Sequence, residues 1–173
     1  MKFHSSIVQT DFESPLGRIT LAATDAGLAG LWFAGQKHLP PELAGAAVWP
    51  YRAAHPVLVQ ASMQLGDYFS GQRSSFEVPL DLSGGTAFQQ AVWRALLSIA
   101  PGCTASYADV SRAVGNPAAV RAVGAAVGRN PVSIIVPCHR VVGTDGSLTG
   151  YAGGLDRKTA LLRLEGALNE SLI

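Results

Sequence analysis

At Ser83-Gly84-Gly85 the chain changes its hydrophobic period, and that change restricts its fold more than any other feature. Ahead of it, short apolar segments such as Ile19-Thr20-Leu21 and Leu31-Trp32-Phe33 are punctuated by Ser14-Pro15-Leu16-Gly17 and Asp25-Ala26-Gly27. Such punctuation predicts strands and turns over Ser5 to Ala34, in the simplest case a β-meander. Gly35 to Tyr51, rich in Pro, Ala and Gly, reads as a loop, after which Leu58, Ala61, Leu65 and Phe69 recur at helical spacing up to Gly71. Phe76, Val78, Leu80 and Leu82 alternate with Glu77, Pro79 and Asp81, which predicts an edge strand that tolerates its proline. The glycines therefore separate a strand-rich domain over 1–82 from a second domain over 83–173.

The second domain reads as helices with clear stops. Thr86 and Gln89 are spaced as a capping box for a helix whose Phe88, Val92, Leu96 and Ile99 form one stripe, ended by Pro101-Gly102. Ser106 and Asp109 repeat the device, opening a short helix with Tyr107, Val110 and Val114 on one side and Gly115 as its stop. Asn116 caps a further helix with Pro117 at its first position and Val120, Val123 and Val127 on its buried face. Two short helices joined by Gly-Asn-Pro make a helix-turn-helix candidate. Val132 to Val142 is β-branched and interrupted by Pro137, so an extended segment is expected. A last helix is expected from about Asp156 to Glu165, with Leu161, Leu162 and Leu164 apolar and Gly166 as its stop.

Composition excludes several classes. A chain of 173 residues holds one domain or two small ones tightly joined. Its 14% of charged residues and 48% of hydrophobic ones rule out a disordered or fibrous protein. Mean hydropathy is high at +0.23, yet no apolar run approaches the ~18 residues of a membrane span. Met1 to Pro15 contains Asp11 and Glu13 and does not read as a signal peptide. Two cysteines, Cys103 and Cys138, are too few for a disulfide framework or a four-thiolate zinc site, and they fit a reducing cytosol. The net charge of +1 hides a split: residues 1–85 carry five Lys/Arg against seven Asp/Glu, and residues 86–173 carry eight against five. Seven of those eight cations are Arg, a mild pointer to a polyanion partner.

Three places hold candidate chemistry. With Val120, Val123 and Val127 turned inward, the helix after Pro117 leaves Arg121, Ala122, Ala125 and Gly128 on its other side. A face of small residues with one Arg lets a backbone approach a partner closely, as a helix entering a DNA groove must; the alternative is a helix buried on both sides. Cys138 stands beside His139 and Arg140 inside an apolar segment, where burial raises a thiol pKa and cations lower it. On a strand the two neighbours would point apart, so adjacency alone implies no Cys-His pair, and an inert core cysteine is the other reading. Glu165 closes a helix at the end where the dipole disfavours an anion, which suggests a partner such as a histidine, against the reading of a solvated surface acid.

Pro137-Cys138-His139-Arg140-Val141-Val142, with Ser106-Tyr107, Arg121-Ala122-Val123-Gly124, Asn130-Pro131 and Gly150-Tyr151-Ala152-Gly153-Gly154, closely resembles the O6-alkylguanine-DNA alkyltransferase family. The likeness runs from Gly85 to Gly166; the first 82 residues agree in length and strand-rich pattern alone. It implies an α+β fold, with an N-terminal RNase H-like α/β domain packed on a helical, winged helix-turn-helix DNA-binding domain. It also implies a function, direct reversal of DNA damage: O6-alkylguanine is flipped out of the duplex and its alkyl group passes irreversibly to Cys138, once per molecule. Position by position, Cys138 resembles the nucleophile, His139 the base acting through a water, and Glu165 the acid that orients the imidazole. Arg121 resembles the finger that fills the space of the rotated nucleotide, with Ala122, Ala125 and Gly128 allowing close minor-groove approach. Tyr107 resembles the residue that rotates the phosphate and donates to the flipped base, and Asn130 the hinge between the DNA-reading helix and the reactive strand. Val141, Tyr151, Ala152 and Gly153 fall at the guanine pocket.

The resemblance further implies no cofactor, no metal, a cytoplasmic monomer with clustering on DNA left open, and double-stranded DNA carrying O6-alkylguanine, with O4-alkylthymine as a further lesion. Without a cysteine-rich module ahead of it, the chain does not look like the bifunctional members that also repair phosphotriesters. The competing readings are an alkyltransferase-like protein, which binds lesions without transfer and usually has Trp where this chain has Cys138, and a cysteine hydrolase, which needs a directly bonded Cys-His pair.

Overall fold

The computed structural model describes residues 1–45 and 47–168. Within them the chain forms two compact units, Met1–Thr86 and Ala87–Ile173.

The first unit is built on an antiparallel meander of β1 (Val8–Ser14), β2 (Gly17–Thr24) and β3 (Gly27–Phe33), in the order β1-β2-β3. Its first turn is closed by the Ser14 hydroxyl, which donates to the Gly17 carbonyl at 2.6 Å and accepts from the Leu16 amide. Register pairs Ile19 with Phe33 and Leu21 with Leu31 on one face. Helix α1 (Pro56–Phe69) covers that face with Leu58, Ala61, Leu65 and Tyr68, starting where His55 caps the Val57 amide and Pro56 supplies a ready-made first residue. On the opposite face Ile7, Ala22, Ala29, Trp32 and Trp49 pack together, with the Trp32 ring lying so close over Gly30 that any side chain there would overlap it. Trp49 is thus a core residue inside the segment read as a loop, whose residue Ala46 lies outside the described residues.

The expected strand over Phe76 to Leu82 is not formed. One parallel bridge joins Leu80 to Leu28, made by the Leu28 amide on the Pro79 carbonyl at 2.7 Å and the Asp81 amide on the Leu28 carbonyl at 2.8 Å. Pro79 has no amide to extend the ladder, so the segment covers the edge of β3 without becoming a strand. Gly27, at φ +150°, permits the approach: a Cβ there would stand 2.6 Å from the Pro79 oxygen.

The second unit contains α2 (Ala87–Leu96), β4 (Ala105–Ser106), α3 (Tyr107–Ala113), α4 (Val120–Gly128), β5 (Val141–Val142) and α5 (Leu155–Leu164), with β4 and β5 paired in parallel. Trp93 rather than Phe88 anchors α2: Phe88 is 37% exposed, whereas Trp93 is fully buried and donates from Nε1 to the Ala126 carbonyl of α4 at 2.8 Å. α2 also ends earlier than expected, passing into tight turns after Leu96. The fold is therefore mixed, a small sheet unit followed by a helical one, as expected from the sequence.

Candidate active site

The reciprocal capping box at Ser106 and Asp109 forms as the spacing predicts: Ser106 Oγ accepts from the Asp109 amide at 3.0 Å and Asp109 Oδ2 from the Ser106 amide at 2.8 Å. It fixes the start of α3 at Tyr107, whose half-buried ring lies against Gly124 of α4. α4 begins three residues later than Pro117, because Asn116 closes a separate turn: its carbonyl accepts from the Ala119 amide and from the Ser111 hydroxyl. Val120 is consequently exposed, and Val123, Ala126 and Val127 form the buried face. Arg121, Ala122 and Ala125 are exposed and Gly128 is half-buried, so the helix is buried on one side only. Arg121 sits in the first turn of α4, where a cation opposes the helix dipole by roughly 0.3 to 1 kcal/mol. Helix stability gives no reason for a cation at that place.

Val132 to Val142 is buried throughout but is not extended. It winds through turns, with Ile134 at φ +70°, then a 3₁₀ turn over Cys138–Arg140, and only Val141–Val142 is strand. The β-branched composition misleads here because the buried Asn130 supplies local partners: its Nδ2 donates to the Val136 carbonyl at 2.8 Å and its Oδ1 accepts from the Val132 amide at 3.0 Å. At about three residues per turn, Cys138, His139 and Arg140 point in three directions instead of alternating across a strand.

These directions bring His139 and Arg140 onto the same acid. His139 Nε2 lies 2.8 Å from Glu165 Oε1, and Arg140 donates to both carboxylate oxygens, Nε to Oε2 at 2.9 Å and Nη2 to Oε1 at 2.8 Å. Glu165 caps the C-terminus of α5 with a side chain only 1% exposed, so it is not a solvated surface acid. Burial alone would raise its pKa, but the hydrogen bonds from Arg140 and His139 outweigh this and bring it down to about 2. His139 is fully buried; desolvation holds its pKa below the usual histidine value against the pull of Glu165. Its Nδ1 has no hydrogen-bond partner among the described residues. Burial likewise pushes the Cys138 thiol up, opposed by hydrogen bonds from Asn130 and Ser133 and by the charge of Lys158. Burial thus favours the uncharged form of both groups.

Lys158 is a site residue that sequence reasoning missed. It is fully buried on α5, and its ammonium donates to the carbonyls of Val141 at 2.6 Å, Thr149 at 2.8 Å and Gly150 at 3.3 Å. Three donors meet three acceptors, tying the strand after the reactive turn to the segment that leads into half-buried Tyr151 and Ala152 and buried Gly153. Burial lowers its pKa to about 8, while a thiolate at Cys138 would work the other way. A signal was present: Lys158 precedes Leu161 and Leu162 by three and four residues and so shares their buried face, whereas Leu164, expected inside, is 41% exposed. Among the described residues no three His, Cys, Asp or Glu side chains cluster as metal ligands would, and Cys103 is exposed.

Two short helices, the first capped and the second with a small-residue outer face, share one unit with a buried thiol whose sequence neighbour His139 is bound to a carboxylate, and this combination describes a class: proteins that hold a buried cysteine and a histidine–carboxylate pair in a helical unit with one small, basic helix face. Comparison narrows the class. Residues 7–82 match the 6-O-methylguanine DNA methyltransferase ribonuclease-like domain, and residues 87–167 match the 6-O-methylguanine DNA methyltransferase DNA binding domain. The methylated-DNA–protein-cysteine methyltransferase of Mycolicibacterium paratuberculosis is 47% identical over 153 residues, 88% of each chain. That of Methanosarcina acetivorans is 47% identical over 157 residues, 90% of this chain and 96% of its own. Among solved structures, the Mycobacterium tuberculosis O6-methylguanine methyltransferase superposes with a TM-score of 0.81 at 44% identity, covering 95% of this chain and 96% of its own. The M. tuberculosis OGT in complex with DNA gives 0.80 at 44% identity, covering 93% and 92%. The chain belongs to the 6-O-methylguanine DNA methyltransferase family.

Proposed function

We propose that the protein is a methylated-DNA–protein-cysteine methyltransferase that acts in direct-reversal DNA repair, taking the alkyl group of O6-alkylguanine in double-stranded DNA onto Cys138. The observation that carries this reading is the buried thiol standing next to a histidine whose far nitrogen is held by an ionised acid. α4 enters the minor groove, with Ala122, Ala125 and Gly128 allowing close approach and Arg121 filling the space left by the rotated nucleotide. Tyr107 assists the rotation and donates to the flipped base, which lies against Val141, Tyr151, Ala152 and Gly153.

His139 accepts the thiol proton at Nδ1 through a water, while Glu165 holds Nε2 and stabilises the imidazolium that forms. Sulfur then displaces guanine O6 from the alkyl carbon: the C–O bond breaks, the C–S bond forms, and the electron pair leaves with the base, stabilised by the hydrogen bond from Tyr107. A thioether is not hydrolysed by water, so each molecule acts once and no cofactor is required. Asn130 positions the reactive turn relative to α4. The protein works as a cytoplasmic monomer.

The test is incubation with duplex DNA containing O6-methylguanine, followed by intact mass and peptide fragmentation, with O4-methylthymine in parallel. Expected is one methyl per chain, on Cys138, with guanine restored; Cys138→Ala retains DNA binding and gains nothing. Repeated turnover, or a methyl on another residue, would refute the proposal. DNA binding without any mass gain would instead leave the lesion-binding reading.

A further inference from the structure

Glu165 accepts from both His139 and Arg140, and of these His139 alone belongs to the transfer machinery described above. Its Oε1 takes both His139 Nε2 and Arg140 Nη2 at 2.8 Å, and its Oε2 takes Arg140 Nε at 2.9 Å. Arg140 also donates from Nη1 to the Ile99 carbonyl at 2.6 Å, which fixes the guanidinium beyond the end of α2. The side chains of His139, Arg140 and Glu165 are 0%, 7% and 1% exposed, so water screens none of these charges.

We propose that Arg140 is a positioning residue acting through Glu165: its two-point clasp keeps the carboxylate ionised while keeping His139 uncharged at rest, so that Nδ1 is free to receive the Cys138 proton. The inference rests on His139 being the base.

Charge counting gives the reason. Guanidinium and carboxylate cancel, so the buried cluster is neutral with a neutral imidazole. Taking away the guanidinium would leave one buried negative charge beside a histidine. The least costly relief is uptake of a proton, shared between His139 and Glu165. An imidazole that already holds that proton cannot take another from the thiol. The charged groups acting on His139 are Glu165 and Lys158, at the end of and on α5, and Arg140 from its own turn, where Cys138 is the neighbouring titratable group. Glu165 draws a proton onto the ring, and the two cations repel it. Arg140 touches the acid as well, through both carboxylate oxygens. Its contribution is thus to give His139 a fixed acceptor without the full proton affinity that a lone buried carboxylate would confer.

The test reads the imidazole directly, independently of transfer. In the unalkylated wild-type protein, ¹⁵N and ring-proton NMR of His139 is expected to show a neutral ring bearing its proton on Nε2 at neutral pH. A protonated ring there would overturn the proposal without any variant being made. In Arg140→Met the His139 titration is expected to move to higher pH by about one unit or more. The acid limb of the single-turnover methyl-transfer rate should move with it, giving about a tenfold loss at pH values below the new midpoint. Arg140→Lys, which keeps the charge, should restore most of both. A lower unfolding midpoint with the His139 titration unmoved would mean that Arg140 is only a brace. If wild type fails to transfer methyl at all, the proposed function falls while the NMR result still decides the role of Arg140.

Discussion

The two units bury polar groups of different kinds. Among the described residues, the sheet unit buries Gln9, Thr24, Gln36 and Gln64, all uncharged, whereas the helical unit buries His139, Arg140 and Lys158 together with Ser111, Asn130 and Ser133. Amides in the sheet unit satisfy backbone groups: Gln9 donates to the Trp49 carbonyl at 2.8 Å, and Gln64 accepts from the Glu77 amide at 2.8 Å. Their job is to close loops against a sheet covered on both faces. In the helical unit the buried ions are matched to one another or to backbone carbonyls. Burying ions is costly unless every donor is matched, so stability alone favours apolar side chains of similar volume. Their concentration in the unit that holds Cys138 is what the proposed chemistry would require.

If that contrast is right, substitutions in the helical unit should cost most. Lys158→Met strips the donor from three carbonyls and should lower unfolding stability by about 3 kcal/mol, read as a urea midpoint with unchanged slope. A loss no larger than that of a surface lysine would erase the distinction between the units.

Glu165 sharpens it through pH. Its pKa is lowered from 4.5 to about 2 in the folded state, so the unfolded chain binds the proton first and stability is lost as pH falls below about 4.5. Between pH 6 and pH 3 the wild type should lose about 2 kcal/mol more than Glu165→Gln, which has no such proton to bind. Equal acid sensitivity would mean that the carboxylate is not held by its partners.

The smallest effect is expected in the sheet unit. Gln9→Leu leaves the Trp49 carbonyl without its donor and should cost about 1 kcal/mol, with the rate of methyl transfer unaltered. A large change in transfer rate would show that the units do not divide their tasks as their buried groups suggest.

Much of the arrangement was legible in residue order. Turn residues and alternation mark the meander, because the pleat's period of two is a local property. The Ser106–Asp109 box and the small-residue face of α4 were legible for the same reason, since caps and helix faces depend on neighbours three and four residues away. Val132 to Val142 was misread as extended because local composition does not reveal that Asn130 will supply its backbone partners. Phe88 was expected in the apolar stripe of α2 but is exposed, and Trp93, which the stripe did not include, is buried because α4 offers an acceptor for the indole.

What the amino-acid order determines by itself is therefore the meander, the capped helices and the Cys-His-Arg motif, since these follow from interactions within a few residues. What only the tertiary structure decides is the state of the chemistry. Glu165 lies 26 residues beyond His139 in the chain yet 2.8 Å from it in space, and Lys158 reaches back 17 residues to the Val141 carbonyl. Protonation depends on burial and on which charge stands within a few ångströms, and both are properties of the folded chain.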